Sequence, residues 1–178
     1  PATTVDVTNP SMLDQNIATL KRTNVCRNCY LKTANLSNIV LKRANLEGAR
    51  LDWADLEGAI LQDANLKRVI LYGANLRGAN LYETNLMYAN AYGGFINFRG
   101  ADLRRSNLER ANLRYADLSE TKLKGANLKG ADLMHAKLNP EGIKIARATG
   151  AINLSWVRVY ANKQTPKPCP GTYKPSWN

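Results

Sequence analysis

The chain has 178 residues, 44% of them apolar, 22% charged and 7% aromatic. This is the composition of one globular domain with an aliphatic core, not of a disordered or membrane chain. Twenty-five Lys and Arg against 14 Asp and Glu leave a formal charge of +11, which disfavours cationic partners and admits nucleic acid, anionic lipid or acidic protein. Three Cys and one His are too few for a disulfide-built fold or a His-rich metal centre.

The sequence begins at Pro1 without an initiator Met, which points to an upstream tag, signal peptide or transit peptide. Asn9-Pro10-Ser11 has the form of a helix start, with Asn9 as N-cap and Pro10 in the first position. Leu13, Ile17 and Leu20 follow at i, i+4 and i+7, so residues 10–22 are predicted to be a capping helix within an N-terminal segment, 1–30. Cys26 and Cys29 form a C-x-x-C. A zinc site would need a second pair, and Cys169 and His135 lie far along the chain. Both Cys occupy inward positions if the repeat that follows extends back over them. The expectation is therefore structural: buried thiols, or a disulfide that ties the cap to the first coil.

From Leu31 the chain reads in fives: Ala34-Asn35-Leu36, Ala44-Asn45-Leu46, Ala54-Asp55-Leu56 and onward to Leu138. Of 22 such centres 20 are Leu, the exceptions being Ala91 and Phe98; Ala stands two before the centre 15 times and Asn or Asp just before it 15 times. A period of five would spiral Leu around a helix and alternate it across a flat strand. An extended triplet, however, points its small residue and its Leu the same way and its polar residue outward. The remaining two positions are turn-like, as in Glu47-Gly48 or Lys124-Gly125. Triplet and bend, repeated, keep every Leu inward only if the chain coils about an axis, which is a β-solenoid. No Pro lies between residues 11 and 139, as expected where backbone N–H groups are needed by the next coil.

This A(D/N)LXX pattern resembles the pentapeptide-repeat family. The resemblance implies an all-β solenoid over 31–138, a right-handed quadrilateral β-helix with four pentapeptides per coil, which at the usual strand spacing is a rod about 26 Å long. The pattern breaks near 92–97: Tyr92-Gly93-Gly94-Phe95 carries the centres from Ala91 to Phe98, a step of seven. The two extra residues and paired Gly predict a bulge or small corner loop, read either as a tolerated insertion or as a protruding contact.

Residues 139–178 are predicted to form the C-terminal cap and a Pro-rich tail. Asn139-Pro140 starts a short helix to about Ala148, Ile152-Asn153-Leu154 is a degenerate repeat, and Trp156 to Tyr160 is a strand. The tail, 166–178, is expected to be extended.

No nucleophile, metal or phosphate-loop motif is present. The carboxylates fall on outward positions beside Lys and Arg, whereas paired-carboxylate catalysis needs a cleft. Neither catalysis nor a cofactor or metal is expected, and His135 is expected on a solvated turn. Charge rises along the chain, from +1 over 31–98 to +4 over 99–138 and +5 over 139–178. The candidate interaction surface is Arg99, Arg104, Arg105, Arg110, Arg114 and Lys124, with Tyr72 and Tyr92 stacked in one column and Phe95 on the bulge. The family's gyrase-inhibiting members imitate DNA through negative charge, a role that +11 disfavours. The expected role is a non-catalytic scaffold or protein-interaction module for an acidic partner, with nucleic-acid binding as the alternative and no membrane span. The family's photosynthetic members and the C-x-x-C suggest export to a periplasm or thylakoid lumen, with the cytoplasm as the alternative.

Overall fold

The computed structural model describes residues 11–91 and 95–160. Asn9, Pro10, Tyr92, Gly93, Gly94, Cys169 and the Pro-rich tail lie outside them.

The repeats stack as a parallel coil. Asn35 lies opposite Asp55 and Asp55 opposite Asn75, a step of 20 residues or four pentapeptides per coil. Across the insertion the step becomes 22, as in Asn75 opposite Asn97 and Asn90 opposite Asn112. The residue before each centre therefore falls on one of four faces. Face I runs Val25, Asn45, Asn65, Asn85, Asn107, Asn127; face II runs from Tyr30 to Ile152; face III from Asn35 to Arg158; face IV from Val40 to Lys122.

Each centre lends its backbone to the next coil. Leu31 N–H donates to Arg50 O and Thr33 N–H to Asp52 O, both at 2.8 Å, while Cys29 O accepts from Arg50 N–H at 2.9 Å. The Leu centres are buried, with the Ala positions beside them filling the narrower space. Phe98 takes a centre and is fully buried, and Ile96 supports it; Phe95, one residue earlier, is 83% exposed.

Two features of the repeat emerge from the backbone. The Asn or Asp before each centre accepts a hydrogen bond from the N–H two residues on, as Asn45 does from Glu47 at 3.2 Å and Asp132 from Met134 at 3.0 Å. This side chain thus shapes the corner as well as facing solvent. The second corner residue adopts a positive φ, with an i to i+3 bond across it such as Ala34 N–H to Leu31 O at 3.1 Å, as in type II turns. Gly takes that conformation freely, but Thr33, Trp53, Tyr88, Arg105 and His135 adopt it too, at φ of 56–61°. Thr33, Trp53, Tyr88 and Arg105 each also donate an inter-coil bond, which offsets the cost.

Helix α1 spans Met12–Thr23 and begins two residues later than the sequence suggests. Ser11, not Asn9, is the N-cap: Asp14 N–H donates to Ser11 Oγ and Ser11 N–H to Asp14 Oδ2, each at 3.2 Å. With Asn9 as cap the reciprocating position would be Met12, which has no acceptor to return the bond. Leu20 is buried, and Leu13 and Ile17 pack against the first coil. Helix α2 spans Pro140–Thr149, capped by Asn139, with Gly142 and Ala146 buried against the last coil. After it Ile152 adds a rung to face II, Leu154–Trp156 makes a single 3-10 turn, and Arg158–Val159 pairs with Lys137–Leu138. The expected strand from Trp156 is thus confined to two residues, because Trp156 is still in the turn.

Candidate functional site

The core is filled, so the chemistry lies on the surface. Cys26 and Cys29 are joined by a disulfide, with Cys26 buried and Cys29 partly so, where α1 meets the first coil. Among the described residues no group of three or more His, Cys, Asp or Glu is placed to hold a metal, and no helix is long and apolar enough to cross a membrane.

The basic residues singled out in the sequence do not gather. Arg104, Arg105 and Lys124 share the corner between faces IV and I, since Leu103 and Leu123 end rungs of one column. Arg99 is on the corner after face III, Arg110 on that after face I, and Arg114 on that after face II. Several are engaged by carboxylates: Arg99 with Glu120 at 2.9 Å, Arg104 with Asp102 at 2.6 Å, Arg105 with Glu83 at 2.9 Å and Arg114 with Asp132 at 3.4 Å. The Arg104 guanidinium holds the Asp102 carboxyl below the usual carboxylate range. Glu120 is lowered by Arg99 and then by the Tyr160 hydroxyl, which donates to it at 2.8 Å and whose own pKa is raised in return. Arg105 and Arg110 also donate to the hydroxyls of Tyr82 and Tyr88, at 3.1 and 2.8 Å. The positive stretch of sequence is thus dispersed around the rod, with Arg99, Arg104, Arg105 and Arg114 each held by a carboxylate.

The aromatic residues do gather. The corner between faces II and III carries Trp53 and Tyr72 in edge-to-face contact, ring centroids 5.1 Å apart. Further along it Tyr115 stacks on His135 at 4.9 Å, and His135 meets Trp156 edge-on at 5.8 Å. Phe95 lies at the same corner, between the two groups, on the coil that holds the insertion. Trp53, Phe95 and Trp156 are 54%, 83% and 58% exposed. Of this edge the sequence reading had Tyr72 and Phe95. It missed Tyr115, His135 and Trp156, because the column advances by 22 residues and not 20 across the insertion. His135 accordingly stands between two rings, not alone in solvent.

A family profile described as pentapeptide repeats matches in eight copies, over residues 25–63, 59–93 and 95–130. The chain belongs to the pentapeptide-repeat family. Among solved pentapeptide-repeat structures it is similar to HetL, involved in heterocyst differentiation regulation in the cyanobacterium Nostoc sp. strain PCC 7120. That match has 35% identity, covers 61% of this chain and 53% of HetL, and has a TM-score of 0.46. This chain thus spans about half of HetL. Rfr23 from the cyanobacterium Cyanothece 51142 matches at 28% identity over 64% of this chain and 93% of its own, TM-score 0.45. A pentapeptide-repeat protein of the Arabidopsis thaliana thylakoid lumen matches at 25% identity over 80% of this chain and 86% of its own, TM-score 0.55. Among curated proteins none matches this pentapeptide-repeat chain in sequence.

Proposed function

We propose that this pentapeptide-repeat protein is a non-catalytic scaffold that holds another protein along its aromatic corner. The observation that carries the reading is the convergence of Trp53, Tyr72, Phe95, Tyr115, His135 and Trp156 on one edge from separate coils. Exposed aromatic side chains on a rigid support are what protein interfaces use as anchors. The charge of +11 steers an acidic partner toward it. A protein suits this surface better than nucleic acid, because Arg99, Arg104, Arg105 and Arg114 lie on different corners and are already matched by carboxylates, where phosphate binding calls for gathered, unpaired cations. The sign of the charge argues against DNA mimicry. A right-handed sense for the coil fits both the family resemblance and the general preference of parallel crossovers.

The test uses Trp53→Ala, Phe95→Ala and Trp156→Ala together, residues exposed enough for the fold to survive. The expected result is a retained cooperative melt, lowered by only a few degrees through the lost ring contacts, and loss of partners recovered from native extract by a photo-crosslinker at Tyr115. Recovery of the same partners at the same salt sensitivity would overturn the assignment.

For compartment, the Cys26–Cys29 bond and the likeness to a thylakoid-lumen protein support export to an oxidising space, a periplasm or a lumen. With three Cys in the chain, the unfolded but unreduced native protein is expected to label at the Cys169 thiol alone. Labelling of all three would place the protein in a reducing compartment.

A further inference from the structure

Among the described residues, face IV ends in an open edge. Along most of the rod the centre N–H and the N–H two residues on donate to the next coil, as Leu103 N–H does to Lys122 O at 2.9 Å, and the carbonyl two residues before the centre accepts from it. Among the described residues the last centre of face IV is Leu123, because after Leu138 the chain turns into α2. The N–H groups of Leu123 and Gly125 and the carbonyl of Thr121 hold these three positions, and none has a hydrogen-bond partner among the described residues. All three residues line a groove of about 470 Å³, whose other wall is α2 through Glu141, Gly142 and Ile145. An edge of this kind is a template for one more strand.

The charge around the groove is positive. Arg104, Lys122 and Lys124 line it, and Lys144 on α2 lies beside Glu141 at 3.7 Å. Against these four cations stand Glu141 and Asp102, the carboxylate that binds Arg104. The chain's own residues 161–178 are a poor occupant: they carry three Lys, four Pro and no Asp or Glu. They would bring like charge, and their Pro residues lack N–H donors.

We propose that this groove binds an extended acidic peptide segment of another protein, which adds as a further rung on face IV. The geometry of the rung below fixes the pairing. One peptide residue donates its N–H to Thr121 O and accepts from Leu123 N–H, and the residue two further on accepts from Gly125 N–H. The side chains of both point outward, over Lys122 and Lys124, as Asp102 does one coil below. These outward positions are where Glu or Asp belongs; the alternating residues face Leu123 and Ile145. The pattern is that of strand addition, in which main-chain bonds supply affinity and alternate side chains supply specificity. The site is separate from the aromatic corner and stands or falls without it.

The test uses the full chain and a fluorescein-labelled, blocked peptide of alternating Glu and Val, roughly eight residues long. Saturable binding is expected with Kd below about 1 mM. Lys122→Glu with Lys124→Glu should weaken it about tenfold or more. N-methylation of the Glu residues should do the same by removing the N–H aimed at Thr121, while N-methylation of the Val residues should change it by less than about twofold. The Leu123 and Gly125 amides should exchange quickly in the free protein and slowly with peptide bound. The proposal is overturned by absence of saturable binding, by equal effects of the two methylation patterns, or by equal binding of the matching Lys-Val peptide. Equal binding of an oligothymidine to this groove would assign it to nucleic acid instead. Slow exchange of both amides in the free protein would mean that the chain, or a second copy, already fills it. Should the charge-reversed variant fail to fold, the methylated peptides decide alone.

Discussion

Gly73 lies beneath the indole of Trp53 from the coil before. An added Cβ at that position would stand 2.6 Å from Trp53 Cζ3 and 2.7 Å from Cδ2, closer than carbon atoms approach. Gly78, one corner along, has the same φ of +64° but nothing within 4 Å of the added Cβ. Gly78→Ala therefore bears only the cost of a left-handed alanine, about 1 kcal/mol. Gly73→Ala bears that cost and also forces the half-exposed indole aside, breaking its edge-to-face contact with Tyr72, for about 1 kcal/mol more. The expected loss of melting temperature is about 3 °C for Gly78→Ala and about 6 °C for Gly73→Ala. In a Trp53→Ala background the two substitutions should become equal, a coupling of about 1 kcal/mol that a double-mutant cycle in urea measures directly. Equal destabilisation by Gly73→Ala and Gly78→Ala in the native background would refute the packing of Trp53 on Gly73, and with it the ordered aromatic corner.

Three further outcomes follow from the same geometry. Leu66→Lys puts an unpaired ammonium at a fully buried centre; a cost of several kcal/mol should leave no cooperative melt by circular dichroism. Thr33→Gly relieves a β-branched residue at φ 61° that is exposed on its corner, so relief of about 1–2 kcal/mol should outweigh the 0.5–1 kcal/mol or so that glycine loses in chain entropy, raising the urea midpoint. Asp102 has a folded pKa below its ordinary 3.8 because Arg104 binds the carboxylate, so its contribution is complete above that value and disappears as pH falls through the lowered one. Asp102→Asn should therefore cost under about 1 kcal/mol at neutral pH, the pair being screened by solvent, and the deficit measured by urea titration should close in acid.

The solenoid was legible because one physical constraint repeats. Leu and a small residue two apart must face one way, and only a coil keeps every centre from Leu31 to Leu138 inward. The helix faces were legible for the same reason, Leu13, Ile17 and Leu20 being periodic. The cap of α1 was not, because Asn9-Pro10 and Ser11 both offer a start and only the reciprocal bond with Asp14 separates them. The left-handed corners were half visible. Gly48 and Gly125 announce them, but Arg105 and Trp53 reveal nothing of their φ until the inter-coil bonds are in place.

Surface function was less legible because neighbours in sequence are not neighbours on the rod. A window such as 99–114 crosses four corners, so its five Arg residues are dispersed around the axis while looking like a cluster on the page. Residues 20 apart are adjacent, and the insertion changes that interval to 22 for one coil. A reader counting by 20 from Trp53 arrives beside Tyr72 and then Tyr92, but beyond the insertion the same column continues at Tyr115 and His135. The two extra residues at Tyr92-Gly93-Gly94-Phe95 thus separate the halves of the aromatic corner in the sequence without separating their column on the rod. They also set Phe95 outward between them. An insertion on any other corner would have left this edge without its most exposed side chain, so its position on the aromatic corner ties the break in the repeat to the surface that the rod presents.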